Sequence, residues 1–101
     1  MSNLFNSQTE KLFKAILTLE TVEECEEFFG DACTIKEIKE IAQRYEVAEM
    51  LSKGKVYNEI AKQTGASTAT ISRVNKCLNY GDGGYKMVLE RVMGEKKIEK
   101  I

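Results

Sequence analysis

The chain has 101 residues, of which 43% are hydrophobic and 31% charged, and a net charge of −1, which fits one soluble globular domain and excludes a disordered chain. Its apolar runs reach only about three residues, as at Ala15-Ile16-Leu17, far short of the roughly 20 that a membrane-spanning helix needs. The N-terminus lacks the charged head and apolar core of a secretory signal, so a cytoplasmic location is expected.

The first helix is expected from about Gln8 to Leu17, with Leu12, Phe13, Ile16 and Leu17 inward. Its start carries Ser7-x-x-Glu10, and Thr21-x-x-Glu24 and Thr34-x-x-Glu37 repeat that spacing. In such a capping box the hydroxyl accepts the N–H three residues on, while the carboxylate reaches back to the cap's own N–H. A second helix should run from about Val22 to Phe29 and end at Gly30 in a left-handed C-cap. The third should start near Ile35 and run toward Ser52, with Gly54 after it. Its early part has a stripe of Ile35, Ile38, Ile41, Ala42 and Tyr45, whereas Val47, Ala48, Met50 and Leu51 spread around the circumference. A helix apolar all round is buried from several sides, and so short a chain can hardly supply those neighbours alone. Interlocked helices of a dimer are the expected solution, with a monomer carrying an exposed apolar face as the alternative.

Histidine is absent, so the commonest general base and the commonest metal ligand are missing. Cys25, Cys33 and Cys77 form no C-x-x-C pair, so neither a zinc knuckle nor a thioredoxin-type site is supported. They read as small buried or half-buried hydrophobes, with a redox-sensing thiol as the other reading. No catalytic and no metal-binding residue is expected; carboxylate pairs such as Glu23/Glu27 lie on a solvated helical face.

The near-neutral total hides an asymmetry. Residues 20–50 hold ten acids against Lys36, Lys39 and Arg44, whereas residues 53–80 hold Lys53, Lys55, Lys62, Arg73 and Lys76 against Glu59 alone. The basic stretch coincides with a helix-turn-helix pattern over Val56–Leu78. Ala61 supplies the small residue that steeply crossing helices need, and Gly65, four residues later, allows positive φ at the turn. Ile60 and Ile71, joined by Val74 and Leu78, should form the core between the two helices.

At about 100° per residue, Ala69, Ser72, Arg73 and Lys76 lie opposite Ile71, Val74 and Leu78, flanked by Thr68 and Asn79. Small side chains early on this face let backbone approach base edges and thymine methyls; Arg73 and Lys76 reach guanine edges or phosphates. Ser67 or Thr68 caps the helix, whose first amides suit a phosphate, and Thr70 belongs to the same polar stretch. Lys53, Lys55 and Lys62 add backbone contacts, which set register more than sequence choice. Gly81-Asp82-Gly83-Gly84 reads as a turn, since it lacks the spacing of a phosphate loop. A last helix follows from Tyr85 to Met93, and 95–101 is expected as a frayed tail.

The run Thr64-Gly65-Ala66-Ser67-Thr68-Ala69-Thr70-Ile71-Ser72-Arg73, with Leu78-Asn79-Tyr80-Gly81 downstream, resembles the Trp repressor superfamily, specifically its YerC/YecD-type relatives. The likeness extends from about Leu4 to Met93 in helix order and length. It implies an all-α fold of six helices in an intertwined homodimer, with reading heads roughly 34 Å apart on a palindromic operator. Domain organisation follows as one unit: 1–54 dimerisation helices, 55–80 the helix-turn-helix and 84–94 the C-terminal helix. In Trp repressor itself two arginines sandwich the corepressor tryptophan, with a threonine and a serine nearby. The resemblance places Arg73, Arg44 and Thr34 at those positions, allowing a one-residue gap, with Cys77 where the serine stands. Val74 replaces a glycine and would crowd a flat ring, and a thiol is a weak partner for an amino group. These departures argue against tryptophan, so no cofactor is expected and any other small-molecule effector is left open.

The expected function is therefore that of a DNA-binding transcriptional regulator, a repressor rather than an enzyme, with double-stranded DNA and a second copy of the chain as partners. The alternative is a helical protein-interaction module working through Glu23, Glu24, Glu26 and Glu27, with the hairpin as scaffold.

Overall fold

Six helices follow one another, and no strand occurs among the described residues: α1 (Ser7–Ile16), α2 (Val22–Ala32), α3 (Ile35–Ser52), α4 (Tyr57–Thr64), α5 (Thr68–Tyr80) and α6 (Gly84–Glu99). The structure, a computed structural model, describes residues 6–99, with side chains described through residue 94. The chain forms two compact units, Met1–Ile38 and Lys39–Ile101, whose boundary falls inside α3. Among the described residues no helix is long and apolar enough to cross a membrane.

The first unit shows what each cap is made of. α1 is capped by Asn6 rather than by a box at Ser7: the Asn6 carboxamide oxygen accepts from both Gln8 and Thr9 N–H, each at 3.0 Å. An Asn oxygen can serve two orphan amides at once, which leaves Ser7 as the first helical residue. At α2, Thr21 Oγ1 accepts from Glu24 N–H at 3.0 Å, but the Glu24 carboxylate accepts from Glu20 N–H at 2.8 Å, one residue short of the expected closure. The box at α3 closes in full, with Glu37 N–H donating to Thr34 Oγ1 at 3.1 Å and Thr34 N–H donating to Glu37 Oε1 at 2.8 Å.

Gly30 is not a C-cap. α2 continues through it to Ala32 and stops at Cys33, whose extended φ of −126° leads straight into the Thr34 cap. α1 and α2 bury no residue. Leu12 and Phe13 are exposed and Leu17 is 82% exposed, contrary to the inward placement expected of them; Ile16 is half-buried. A segment this short cannot close a core of its own. Phe28 and Phe29 meet edge to face, with ring centroids 5.2 Å apart.

The second unit holds the core. Val47, Ala48 and Met50 from α3, Ile60 from α4, Ala66 from the turn, Ile71, Val74 and Leu78 from α5, and Leu89 from α6 form one buried cluster. Tyr45, Leu51, Ala61 and Tyr85 pack against it. The later half of α3 is thus buried as its composition implies, whereas Ile35, Ile38 and Ile41 of its earlier stripe are exposed. Gly54 and Gly83 take positive φ at the turns after α3 and before α6. α6 extends to Glu99, so residues 95–99 continue the helix instead of fraying, and 100–101 lie outside the described residues. Cys25 and Cys77 are exposed and only Cys33 is half-buried, which corrects the buried reading: helical position, not residue type, decides their burial.

Candidate nucleic-acid interface

The helix-turn-helix is built as its spacing demands. α4 ends at Thr64, and Gly65 adopts φ +76° and ψ 5°, its N–H donating to the Ala61 carbonyl at 2.9 Å. Ala66 N–H donates to Thr64 Oγ1 at 3.1 Å, and Thr64 Oγ1 donates to the Ile60 carbonyl at 2.8 Å, so both amides after α4 are paired. Ser67 then caps α5, its Oγ accepting from Thr70 N–H at 3.1 Å. Ile60 and Ile71 are fully buried, which fixes the rotation of both helices.

That rotation sends Ala69, Ser72, Arg73 and Lys76 to the surface, all exposed, with Thr68 and Asn79 exposed on one flank. Thr70 is half-buried, and its Oγ1 accepts from Ser67 Oγ at 3.1 Å; it serves the cap more than the outward face. Asn79 Nδ2 donates to the Asn75 carbonyl at 2.9 Å and to Asn75 Oδ1 at 3.1 Å. Lys55 pairs with Glu59 at 3.6 Å and Lys53 with Glu49 at 3.9 Å. These pairs are exposed and worth little, so either lysine can exchange its partner for a phosphate. Lys62, Arg73 and Lys76 form no ion pair among the described residues.

Two residues were missed by sequence reasoning. Tyr80, 85% exposed, continues the line Ala69, Arg73, Lys76 at the far end of α5; the helical wheel carried that signal. Gln43 on α3 donates from Nε2 to the Thr64 carbonyl at 3.2 Å and ties the turn to the preceding helix. Local pattern gives no sign of a contact between residues this far apart in the chain.

A family model described as Trp repressor protein matches residues 7–93. The chain belongs to the Trp repressor family. It is 53% identical over 92 residues to the YerC protein of Bacillus subtilis (strain 168), covering 91% of this chain and 88% of that one. Among solved structures, a TrpR-like protein from Eubacterium eligens ATCC 27750 is 54% identical, covers 88% of this chain and 92% of that chain, and superposes with a TM-score of 0.86. A structure from Staphylococcus aureus, 48% identical, covers 88% of this chain and 89% of its own with a TM-score of 0.85. The six-helix, strand-free Trp repressor-like fold is therefore shown, and its family is one of DNA-binding regulators rather than enzymes.

The residues that the Trp repressor likeness offers for a ligand fare unevenly. Thr34 lies in the first unit and is engaged in its capping box. Arg44 is half-buried, and Arg73 and Cys77 are exposed. Val74 is buried in the hairpin core. Of the acidic residues on α2, Glu23, Glu26 and Glu27 are exposed, while Glu24 is held by its cap.

Proposed function

We propose that the chain is a cytoplasmic, homodimeric repressor that reads a palindromic operator, one hairpin to each half-site. The observation that carries this reading is the division of α5: Ile71, Val74 and Leu78 are buried, while Ala69, Ser72, Arg73 and Lys76 face out together, both cations without ion pairs among the described residues. Ser67, Thr68, Ala69 and Ser72 let the start of α5 approach base edges; Arg73 and Lys76 supply donors further along; Lys55 and Lys62 hold the phosphates. The exposed Leu12, Phe13 and Leu17 of α1, with Met87, Val88 and Met93 of α6, supply apolar surface for a second copy. No cofactor is required in this reading, and Cys77 disfavours tryptophan as the effector.

The test is selection of bound sequences from a random duplex library, followed by anisotropy titrations against salt. With Lys55 and Lys62 on each of two hairpins holding phosphates, log affinity should fall with log salt at a slope of roughly −4. Arg73→Ala or Lys76→Ala should each cost about 1–3 kcal/mol if it contacts a base, or flatten the slope by about 1 to 2 in the dimer if it contacts phosphate. A selection that returns no palindrome, or a double variant that binds like the parent, refutes this reading.

A further inference from the structure

Three of the hydrogen bonds that close the hairpin turn are internal to it, from Gly65 N–H, Ala66 N–H and Thr64 Oγ1. The Thr64 carbonyl, at the end of α4, is one of the carbonyls for which a helix offers no N–H donor of its own. It is taken by Gln43 from α3, with the Gln43 side chain half-buried and its Nε2 at 3.2 Å. The same Nε2 lies nearest to where a Cβ on Gly65 would stand, at 3.9 Å, so it sits directly over the pivot of the hairpin.

Ridges-into-grooves packing does not dictate one crossing angle, since helix pairs scatter by about 15–20° around each preferred class. A directional bond from α3 to the pivot removes part of that freedom. We propose that Gln43 is a positioning residue that sets the tilt of the hairpin, and so of the outward face of α5, against α3. The proposal rests on the DNA-binding reading for its consequence but not for its geometry. At about 1.5 Å per residue Lys76 lies roughly 12 Å beyond Thr68, so a tilt of about 10° displaces it by about 2 Å. Contacts to base edges tolerate only about 0.5 Å of error.

The experiment compares the full chain with Gln43→Leu, which removes the donor, and Gln43→Lys, which restores one of similar reach. Leu89→Ala, buried on α6 and remote in sequence from the turn, controls for lost stability. Residual dipolar couplings of α3 and α5 amides in the free protein read the tilt without DNA. Anisotropy on the selected operator, at a temperature where circular dichroism shows every variant folded, reads the consequence. Gln43→Leu should rotate α5 against α3, weaken operator binding about tenfold, the scale of one net hydrogen bond, and narrow the gap between operator and unrelated DNA, with the salt slope unchanged. Gln43→Lys should recover most of both, and Leu89→Ala should leave both as in the parent. Couplings that fit the parent orientation in Gln43→Leu overturn the proposal, as does a Leu89→Ala variant that tilts and weakens binding equally. If the parent selects no operator while Gln43→Leu still tilts α5, positioning stands and the DNA-binding reading falls.

Discussion

Two glycines around α5 invite opposite expectations. Gly65 has φ +76° and looks irreplaceable, while Gly81, at φ −86°, looks permissive. The space around them reverses that order. A Cβ on Gly65 would meet nothing closer than Gln43 Nε2 at 3.9 Å, an ordinary contact. Gly65→Ala therefore carries only the left-handed backbone penalty, about 1–2 kcal/mol. The loss of unfolded-state freedom returns about 0.4–1 kcal/mol of it, for a net cost of about 1 kcal/mol. A Cβ on Gly81 would collide with the Cys77 carbonyl oxygen and stand 3.1 Å from its carbonyl carbon and 3.2 Å from its Cα. Those are backbone atoms of α5, so relief requires the helix end to move, which breaks the Gly81 N–H bond to the Cys77 carbonyl (2.8 Å). Overpacking of that kind costs about 1–3 kcal/mol, and the lost bond about 1 kcal/mol more. Urea unfolding followed by circular dichroism should place Gly81→Ala below Gly65→Ala in stability, with Gly65→Asn near the parent because Asn tolerates positive φ. The reverse order, or equal losses, would refute the steric account of both turns.

Gly30 sits inside α2 with negative φ and open space around it, so Gly30→Ala should raise thermal stability by up to about 1 kcal/mol; a loss would restore the reading of Gly30 as a cap. Glu37 gives a pH test. The Thr34 backbone N–H, and then the Thr34 side chain, hold its carboxyl below the ordinary value of 4.5. A depressed folded-state pKa means that the cap's contribution is present above the ordinary carboxylate range and is lost as pH falls through the lower, folded value. Carboxyl-carbon NMR should show Glu37 titrating below 4.5, with the first turn of α3 losing protection as it does; titration at or above 4.5 would count against the cap.

The hairpin was legible because everything that makes it is local. Ile60, Gly65, Ile71, Val74 and Leu78 fix a core, a turn and a face by spacing alone, and Ser67 marks the start of α5. What failed did so where local signals compete. Ser7 fitted a capping box, but Asn6 one position earlier serves two amides. Gly30 carried the sign of a helix end, yet a helix passes through glycine at a cost of about 1 kcal/mol when the next cap, Thr34, fixes where the chain must turn. The usual burial of a free cysteine misleads at Cys77, whose place about 100° from Leu78 puts it outside. Gln43 had no local signal, since its partner is 21 residues away.

The charge of the chain bears on how it would use this face. A net charge of −1 gives DNA little long-range attraction, and beyond a Debye length of about 8–10 Å salt screens the cations of the hairpin. Attraction then acts only at contact, where Lys62, Arg73 and Lys76 stand without ion-pair partners among the described residues. Few phosphate contacts mean weak non-specific binding, because that mode draws essentially all its free energy from phosphates. Under the proposed function, a greater share of the affinity for an operator would come from base edges and shape, which depend on placement to a fraction of an ångström. Such a reader has reason to hold its recognition helix by a buried apolar core on one side and a hydrogen bond at its pivot, since a tilt that a strongly basic protein would absorb in phosphate contacts would cost this one its sequence preference.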